Sequence, residues 1–346
     1  MLGKTNLPEL GLATETDNLV YGRTNNPYDL SRTPGGSSGG EAAVIAAGGS
    51  PLGLGNDLGG SIRLPAHCCG ITGIKPTSGR VPRTGNFPGP GGAFDLMWQP
   101  GPMARYIEDL VLTLPLLAGP DGRDVTTVPV PLSDPKTVDL KKLRVAFHTD
   151  NGIIPPTPET IEVVKKTAKV LSDAGLAVEE NRPKDIEQGY EIIVGLFGAD
   201  SGIGLQRFLQ MIGTTELSPL MQRYLRLVHL QALSTTDFMG LLFQRDLWRS
   251  AMLSFFEKYD AILCPVNAYP ALPHGVSMSL GRLPSLSYTS IYNLAGWPGV
   301  VVRGGTSPEG LPIGVQIVAR PWREDVALAV AQHIETALGG WQRPSL

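Results

Sequence analysis

The stretch PGGSSGGEAAVIAAGGSPLGLGNDLGGSIRLPA, Pro34–Ala66, decides the reading of this chain. Two turns of small residues, Gly35–Gly40 and Gly59–Ser61, flank a run that reads as a helix, Glu41–Ala47, and a short strand at Pro51–Gly55. Glycines on both sides of a serine let the backbone approach a ligand closely and adopt positive φ without penalty. Successive N–H groups turned into one concavity form a seat for negative charge. A phosphate cradle would need the Lys–Ser/Thr ending of a P-loop or an acidic ribose partner at the right spacing, and neither is present. Gly35-Gly36-Ser37-Ser38-Gly39 satisfies the nucleophile-elbow pattern Gly-x-Ser-x-Gly, which also requires a downstream carboxylate and histidine. The downstream histidines are His67, His148, His229, His274 and His333, and none stands in the context of a base.

Outward from this core the grammar is that of strands alternating with helices. Leu143–Phe147, Asp260–Val266, Gly299–Val302 and Ile313–Val318 read as buried strands, and Leu176–Val178 as a further strand. Thr157 as N-cap, Pro158 at the first helical position and Gly175 past the end delimit a helix with Ile161, Val164, Ala168 and Leu171 on one stripe. Residues 184–258 read as largely helical, and Glu324–Leu338 as a final amphipathic helix stopped by Gly339–Gly340. The proline-rich stretch Thr126–Lys142 is an irregular connector. The expectation is α/β: a mixed β-sheet covered by helices on both faces, in a single domain spanning 1–346.

Composition removes several function classes. With 42% hydrophobic and 18% charged residues among 346, the chain can bury a large core. Its net charge of −3 gives no reason to expect a nucleic-acid partner. Cys68, Cys69 and Cys264 cannot make a disulfide framework, which fits a reducing, cytoplasmic location. The longest apolar run, Leu110–Ala118, is far short of the roughly 20 residues that span a bilayer, and MLGKTNLPEL lacks a signal-peptide core. His67-Cys68-Cys69 has no spaced partners for zinc, so no metal and no cofactor are expected.

The segment Pro34–Ala66 resembles the amidase signature family, and its GGSSGGE…GGSPLGLGNDLGGSIRLPA run is similar to the fatty acid amide hydrolase branch in particular. LGKTNLPEL (Leu2–Leu10), NNPYDL (Asn25–Leu30), GIKPTSGRVP (Gly73–Pro82), GPMAR (Gly101–Arg105), DAILCP (Asp260–Pro265), YNLAGWPG (Tyr292–Gly299) and GLPIGVQIVA (Gly310–Ala319) carry the resemblance along nearly the whole chain. It implies Ser61 as nucleophile, Ser37 as a proton-relaying serine behind a cis peptide, and Leu58, Gly59, Gly60 and Ser61 as oxyanion-hole donors. It implies hydrolysis of a carboxylic, fatty-acyl-type amide to acid and amine through an acyl-enzyme. Preceding N–H groups that hold the developing oxyanion are often worth several kcal/mol.

A serine hydroxyl needs a base. In the resembled family this is a lysine, kept neutral by burial, on a strand ahead of the LGKTN segment. Here LGKTN follows Met1 directly; Lys4 lies in that segment, where the family does not place the base, Lys75 matches a family lysine that is structural, and Lys136, Lys141, Lys142, Lys165, Lys166, Lys169, Lys184 and Lys258 offer no replacement. The expectation is therefore an N-terminally incomplete fold: a truncated form of an active amidase, or a product that no longer catalyses, with apolar surface exposed around the sheet. Asp57 and Arg63 bracket Ser61, either contacting substrate or pairing to shape the loop. Ser38 either bonds the base or closes the turn. Lys75 is assigned to a structural turn. The Leu/Phe/Met-rich stretch from Phe208 to Phe256 is either ordinary core or the lining of an acyl pocket. Two alternatives stand beside the amidase: a non-catalytic binding protein that keeps the pocket, and the amidase subunit of a glutamine-dependent amidotransferase. The expected partner is a small-molecule amide; membrane contact and a homodimer stay open.

Overall fold

The computed structural model describes residues 2–86, 93–229 and 232–345. A small hairpin, β1 (Asp17–Asn18) and β2 (Gly22–Arg23), precedes α1 (Gly39–Ala46), β3 (Leu52–Asp57), α2 (Arg63–Cys68), β4 (Thr72–Lys75) and β5 (Gln99–Ala104). Then come α3 (Ile107–Leu117), β6 (Arg144–Phe147), α4 (Pro158–Asp173), β7 (Ala177–Glu180) and a run of helices. These are α5 (Ile186–Gly198), α6 (Ile203–Met211), α7 (Pro219–Val228) and α8 (Thr235–Leu253). The chain closes with β8 (Ala261–Pro265), α9 (Ser287–Ala295), β9 (Gly299–Thr306), β10 (Pro312–Ala319) and α10 (Glu324–Leu338).

One eight-stranded sheet has the order β3-β5-β4-β9-β10-β8-β6-β7. It is mixed: β8-β6 and β6-β7 run parallel, while the other neighbours are antiparallel. Strand side chains alternate between faces. Val300 and Val302 pack with α3, α4 and α10, whereas Val301 between them packs with α1 and α2. Likewise Ala261 and Leu263 face the first layer, and Ile262 and Cys264 face α5, α8 and α9. Both faces are covered, which is why these strands read as unbroken apolar runs rather than alternating ones. Strands β3 and β7 are the sheet's two edges, and Leu54 of β3 is 56% exposed.

Elements with strong local signals fall where the sequence places them. Pro158 opens α4 and Gly175 follows its end at φ 91°, although Thr157 makes no side-chain cap. Its buried stripe is Thr160, Val163, Val164, Thr167, Ala168 and Leu171; Ile161 is only half-buried. The sequence reading missed β5, whose QPGPMA carries two prolines and a glycine. Lys75 is not in a turn: it closes β4 and is fully buried.

Candidate active site

Two turns at the β3 end of the sheet build the site. The first leads into α1. Its Gly36–Ser37 peptide is cis. A Cβ on Gly36 would lie 2.6 Å from Ala13 O and 2.7 Å from Glu15 N, so the backbone of residues 13–15 passes where only glycine fits. The second turn, Leu58–Ile62, links β3 to α2. The Ser38 N–H donates to Ser61 O at 3.2 Å and lashes the two turns together. The Ser38 hydroxyl accepts from Asn56 N at 3.3 Å, so it also ties α1 to β3.

The Gly59–Gly60 peptide is held at both ends. Thr289 Oγ1 donates to Gly59 O at 2.7 Å, and Gly60 N–H donates to Asp57 Oδ1 at 2.7 Å. Gly60 sits at φ 129°, with Thr289 where a Cβ would be. Its N–H is thus committed to a carboxylate, which removes Gly60 from the expected set of oxyanion donors. Among the described residues, the N–H groups of Leu58, Gly59 and Ser61 have no protein acceptor.

Asp57 and Arg63 pair with each other, Nε–Oδ2 and Nη2–Oδ1 both at 3.0 Å, with both side chains fully buried. Asn293 donates to Asp57 Oδ1 at 2.8 Å, and Arg63 Nη1 donates to Gln316 at 3.1 Å. Asp57 also accepts from Ile62 N and Arg63 N. Burial would raise the Asp57 carboxyl, but the charge and hydrogen bonds of Arg63, with Asn293, hold it at about 2. Pairing to shape the loop is therefore what these two residues do, and neither lines a cavity at Ser61.

Ser61 lies between two cavities. One, of about 220 Å³, is lined by Ser37, Ser38, Glu41, Asn56, Leu58 and Trp98, with Thr5–Leu7 and Leu10–Leu12 of the N-terminal chain. Glu41 accepts from Thr5 Oγ1 at 2.7 Å, and burial raises its carboxyl. Among the described residues no lysine or histidine lines this cavity. The other, of about 180 Å³, is apolar and opens from Ser61, Gly59 and Leu58. Its walls are Tyr190, Ile193, Val194 and Phe197 of α5 and Tyr224, Leu227 and Val228 of α7, closed by Met278, Leu283 and Leu286. The stretch from Phe208 to Phe256 thus supplies one wall through α7. The α8 residues Met239, Phe243 and Leu247 are exposed, and the α5 wall lies upstream of that stretch.

Lys75 is buried with no ion pair among the described residues; its Nζ donates to Pro76 O at 2.7 Å. Burial, with Arg63 nearby, lowers its amine to about 7 against the opposing pull of Asp57 and Glu324. It lines neither cavity at Ser61. The buried histidines are committed elsewhere: His67 Nδ1 accepts from Gly314 N at 2.9 Å, and His148 lies 3.3 Å from the Tyr292 hydroxyl. Burial pushes the thiols of Cys68 and Cys264 up to about 12. Among the described residues no group of three or more His, Cys, Asp or Glu is placed to hold a metal ion. None of the described helices alone is long and apolar enough to cross a membrane.

Sequence reasoning missed Asn293 and Thr289, which sit on α9 and hold the second turn from outside. YNLAGWPG contains Asn293, but nothing local announces its contact with Asp57, 236 residues away. The buried hydroxyls of Ser290, beside Gly59, and of Tyr224 were also missed; neither has a hydrogen-bond partner among the described residues.

Comparison with known proteins gives the family of the chain. The sequence model of the Amidase family matches residues 1–328. The chain is 32% identical to human fatty-acid amide hydrolase 2 over 370 residues, covering 99% of this chain and 68% of that protein. It is 32% identical to a subunit of glutamyl-tRNA(Gln) amidotransferase from Heliobacterium modesticaldum over 366 residues, covering 98% of this chain and 74% of that protein. Among solved structures it superposes on 6-aminohexanoate cyclic dimer hydrolase complexed with substrate at TM-score 0.87, with 28% identity, covering 99% of this chain and 76% of that one. A serine at the meeting point of two lashed glycine turns, on a mixed sheet with this strand order and these relatives, places the chain in the amidase signature family of C–N hydrolases.

Proposed function

We propose that Ser61 is the nucleophile of an amidase that cleaves a carboxylic amide with an apolar acyl group. The observation that carries this reading is the position of Ser61: it borders an apolar cavity on one side, a cavity shared with Ser37 and Ser38 on the other, and unpaired N–H groups at Leu58, Gly59 and its own backbone. Ser61 Oγ adds to the carbonyl carbon while the carbonyl π pair moves onto oxygen, and the three N–H groups hold that oxyanion. The Ser61 proton passes to Ser37 in the cavity those residues share, while Ser37 hands its own hydroxyl proton on toward the leaving nitrogen. Collapse of the adduct expels the amine, which takes up the relayed proton. Water then repeats the addition on the acyl-enzyme and releases the acid.

The apolar cavity favours an acyl chain over a polar amino-acid side chain. The similarity to the glutamyl-tRNA(Gln) amidotransferase chain supports a second reading, in which the substrate is glutamine and a partner chain receives the ammonia.

A fluorophosphonate probe with an alkyl chain tests the assignment. Mass spectrometry is expected to find the adduct on Ser61, with none in Ser61→Ala. Labelling elsewhere, or none in folded protein, would overturn it in favour of a binding protein. Release of ammonia from glutamine, with alkyl amides untouched, would favour the amidotransferase reading.

A further inference from the structure

The apolar cavity at Ser61 does not stand alone. Phe197, Tyr224 and Val228 line it and also line a second, roomier cavity of about 490 Å³. The second cavity is more polar, with Asp200, Ser234 and Thr235 in its wall. Tyr224, on α7, is therefore common to both, and the residue is only 9% exposed. Its hydroxyl has no hydrogen-bond partner among the described residues. A buried phenol without a partner is an unmet polar group in an otherwise greasy wall.

The charge that acts on this hydroxyl is a carboxylate, Asp200. Burial first, and then Asp200, raise the Tyr224 phenol, which keeps it a neutral O–H group. Asp200 accepts from Gly202 N at 2.9 Å and Gly204 N at 2.7 Å at the start of α6. Among the described residues it has no cationic partner. A wholly hydrocarbon chain laid along both cavities would leave the phenol unpaired and the carboxylate beside apolar carbon. A chain carrying a hydrogen-bond donor would be received by the phenol oxygen and the carboxylate together.

We propose that the acyl group extends from Ser61 past Tyr224 into the second cavity and carries a hydrogen-bond-donating group, hydroxyl or ammonium, held by Tyr224 and Asp200. This specifies the acyl class and rests on the acyl-pocket reading above. Tyr224 then determines specificity, because a site built to hydrogen-bond a substrate group discriminates against the analogue lacking it.

Calorimetric titration with free carboxylic acids tests this without requiring turnover. Alkanoic, ω-hydroxyalkanoic and ω-aminoalkanoic acids of matched, increasing chain length would be titrated into wild type, Tyr224→Phe and Asp200→Asn. At the length that reaches Tyr224, a substituted acid is expected to bind about tenfold or more tighter than the plain acid. Tyr224→Phe is expected to abolish that preference and to leave short acids unaffected. A preference for the amino acid that Asp200→Asn erases identifies an ammonium; a preference for the hydroxy acid that Asp200→Asn leaves largely intact identifies a hydroxyl. Plain acids binding as tightly at every length, or a preference unchanged in Tyr224→Phe, would overturn the proposal. Failure of the amidase reading appears separately, as loss of Ser61 labelling while acid binding persists.

Discussion

Gly60 N–H donates to Asp57 Oδ1 at 2.7 Å, so the Gly59–Gly60 peptide, one before the peptide that carries the Ser61 N–H, is oriented by a carboxylate rather than by the substrate. The same carboxylate takes two further N–H groups, from Ile62 and Arg63, and pairs with the fully buried Arg63 guanidinium. One side chain thereby takes three N–H groups of the turn, with Thr289 and Ser38 holding it from other sides.

Asp57→Asn keeps the shape but strips Arg63 of its counter-charge. Removing one partner of a buried pair leaves an uncompensated charge and costs about 3–5 kcal/mol. Urea denaturation of Asp57→Asn is expected to show a loss of this size. The double variant Asp57→Asn/Arg63→Met is expected to recover part of it, since neither buried charge then remains. A single variant as stable as wild type would show that the pair does not hold the turn.

Thr289 and Ser290 are neighbours on α9 with opposite expected effects. Thr289 Oγ1 donates to Gly59 O, whereas the buried Ser290 hydroxyl has no partner among the described residues. Thr289→Val should cost about 1 kcal/mol and slow Ser61 labelling by about tenfold, because the Gly59–Gly60 peptide loses one of its two anchors. Ser290→Ala should leave the thermal midpoint unchanged or raised, since it removes an unsatisfied polar group. Equal destabilisation by both would contradict this assignment.

Much of this architecture is written locally. Pro158 and Gly175 delimit α4, Gly339 stops α10, and the apolar runs of β8, β9 and β10 announce strands covered on both faces. The serines at positions 37 and 61 and their glycines stand in one contiguous stretch, so the two turns could be read together. What stayed hidden depends on contacts far apart in the chain. Strand β5 has prolines and glycine in place of β-branched residues, and pairing with β3 and β4 overrides that weak propensity. Lys75 reads as a turn lysine before Pro76; only the fold shows it sealed beneath Asp57, Arg63 and Glu324. Gly60 looks equivalent to Gly59 in sequence, and the Asp57 carboxylate alone separates their roles.

Lys75 gives stability a pH dependence whose sign is fixed by burial. Its amine is lowered from 10.5 to about 7 in the folded protein. Between these values the unfolded chain binds the proton and the folded one does not, so stability rises with pH from about 7 toward 10.5. Below about 7 both states are protonated and the burial penalty is present in full. Lys75→Met should flatten this slope in denaturant titrations run across that range. A wild-type slope of opposite sign, or one unchanged in the variant, would rule out a neutral buried amine.

The cavity shared by Ser37, Ser38 and Ser61 offers a direct test of how the nucleophile loses its proton. At about 220 Å³, with the half-buried Glu41 in its wall, it has room for a small alkylamine and a carboxyl group to hold the ammonium that forms when the amine takes the proton. Added ethylamine is expected to speed phosphonate labelling of Ser61 by about tenfold or more, saturating with concentration and increasing with the free-base fraction as pH rises. The acceleration should vanish in Ser37→Ala, which breaks the relay, and weaken in Glu41→Gln, which removes the attraction. If ethylamine accelerates Ser37→Ala as much as wild type, the proton leaves Ser61 by a route that does not pass through Ser37.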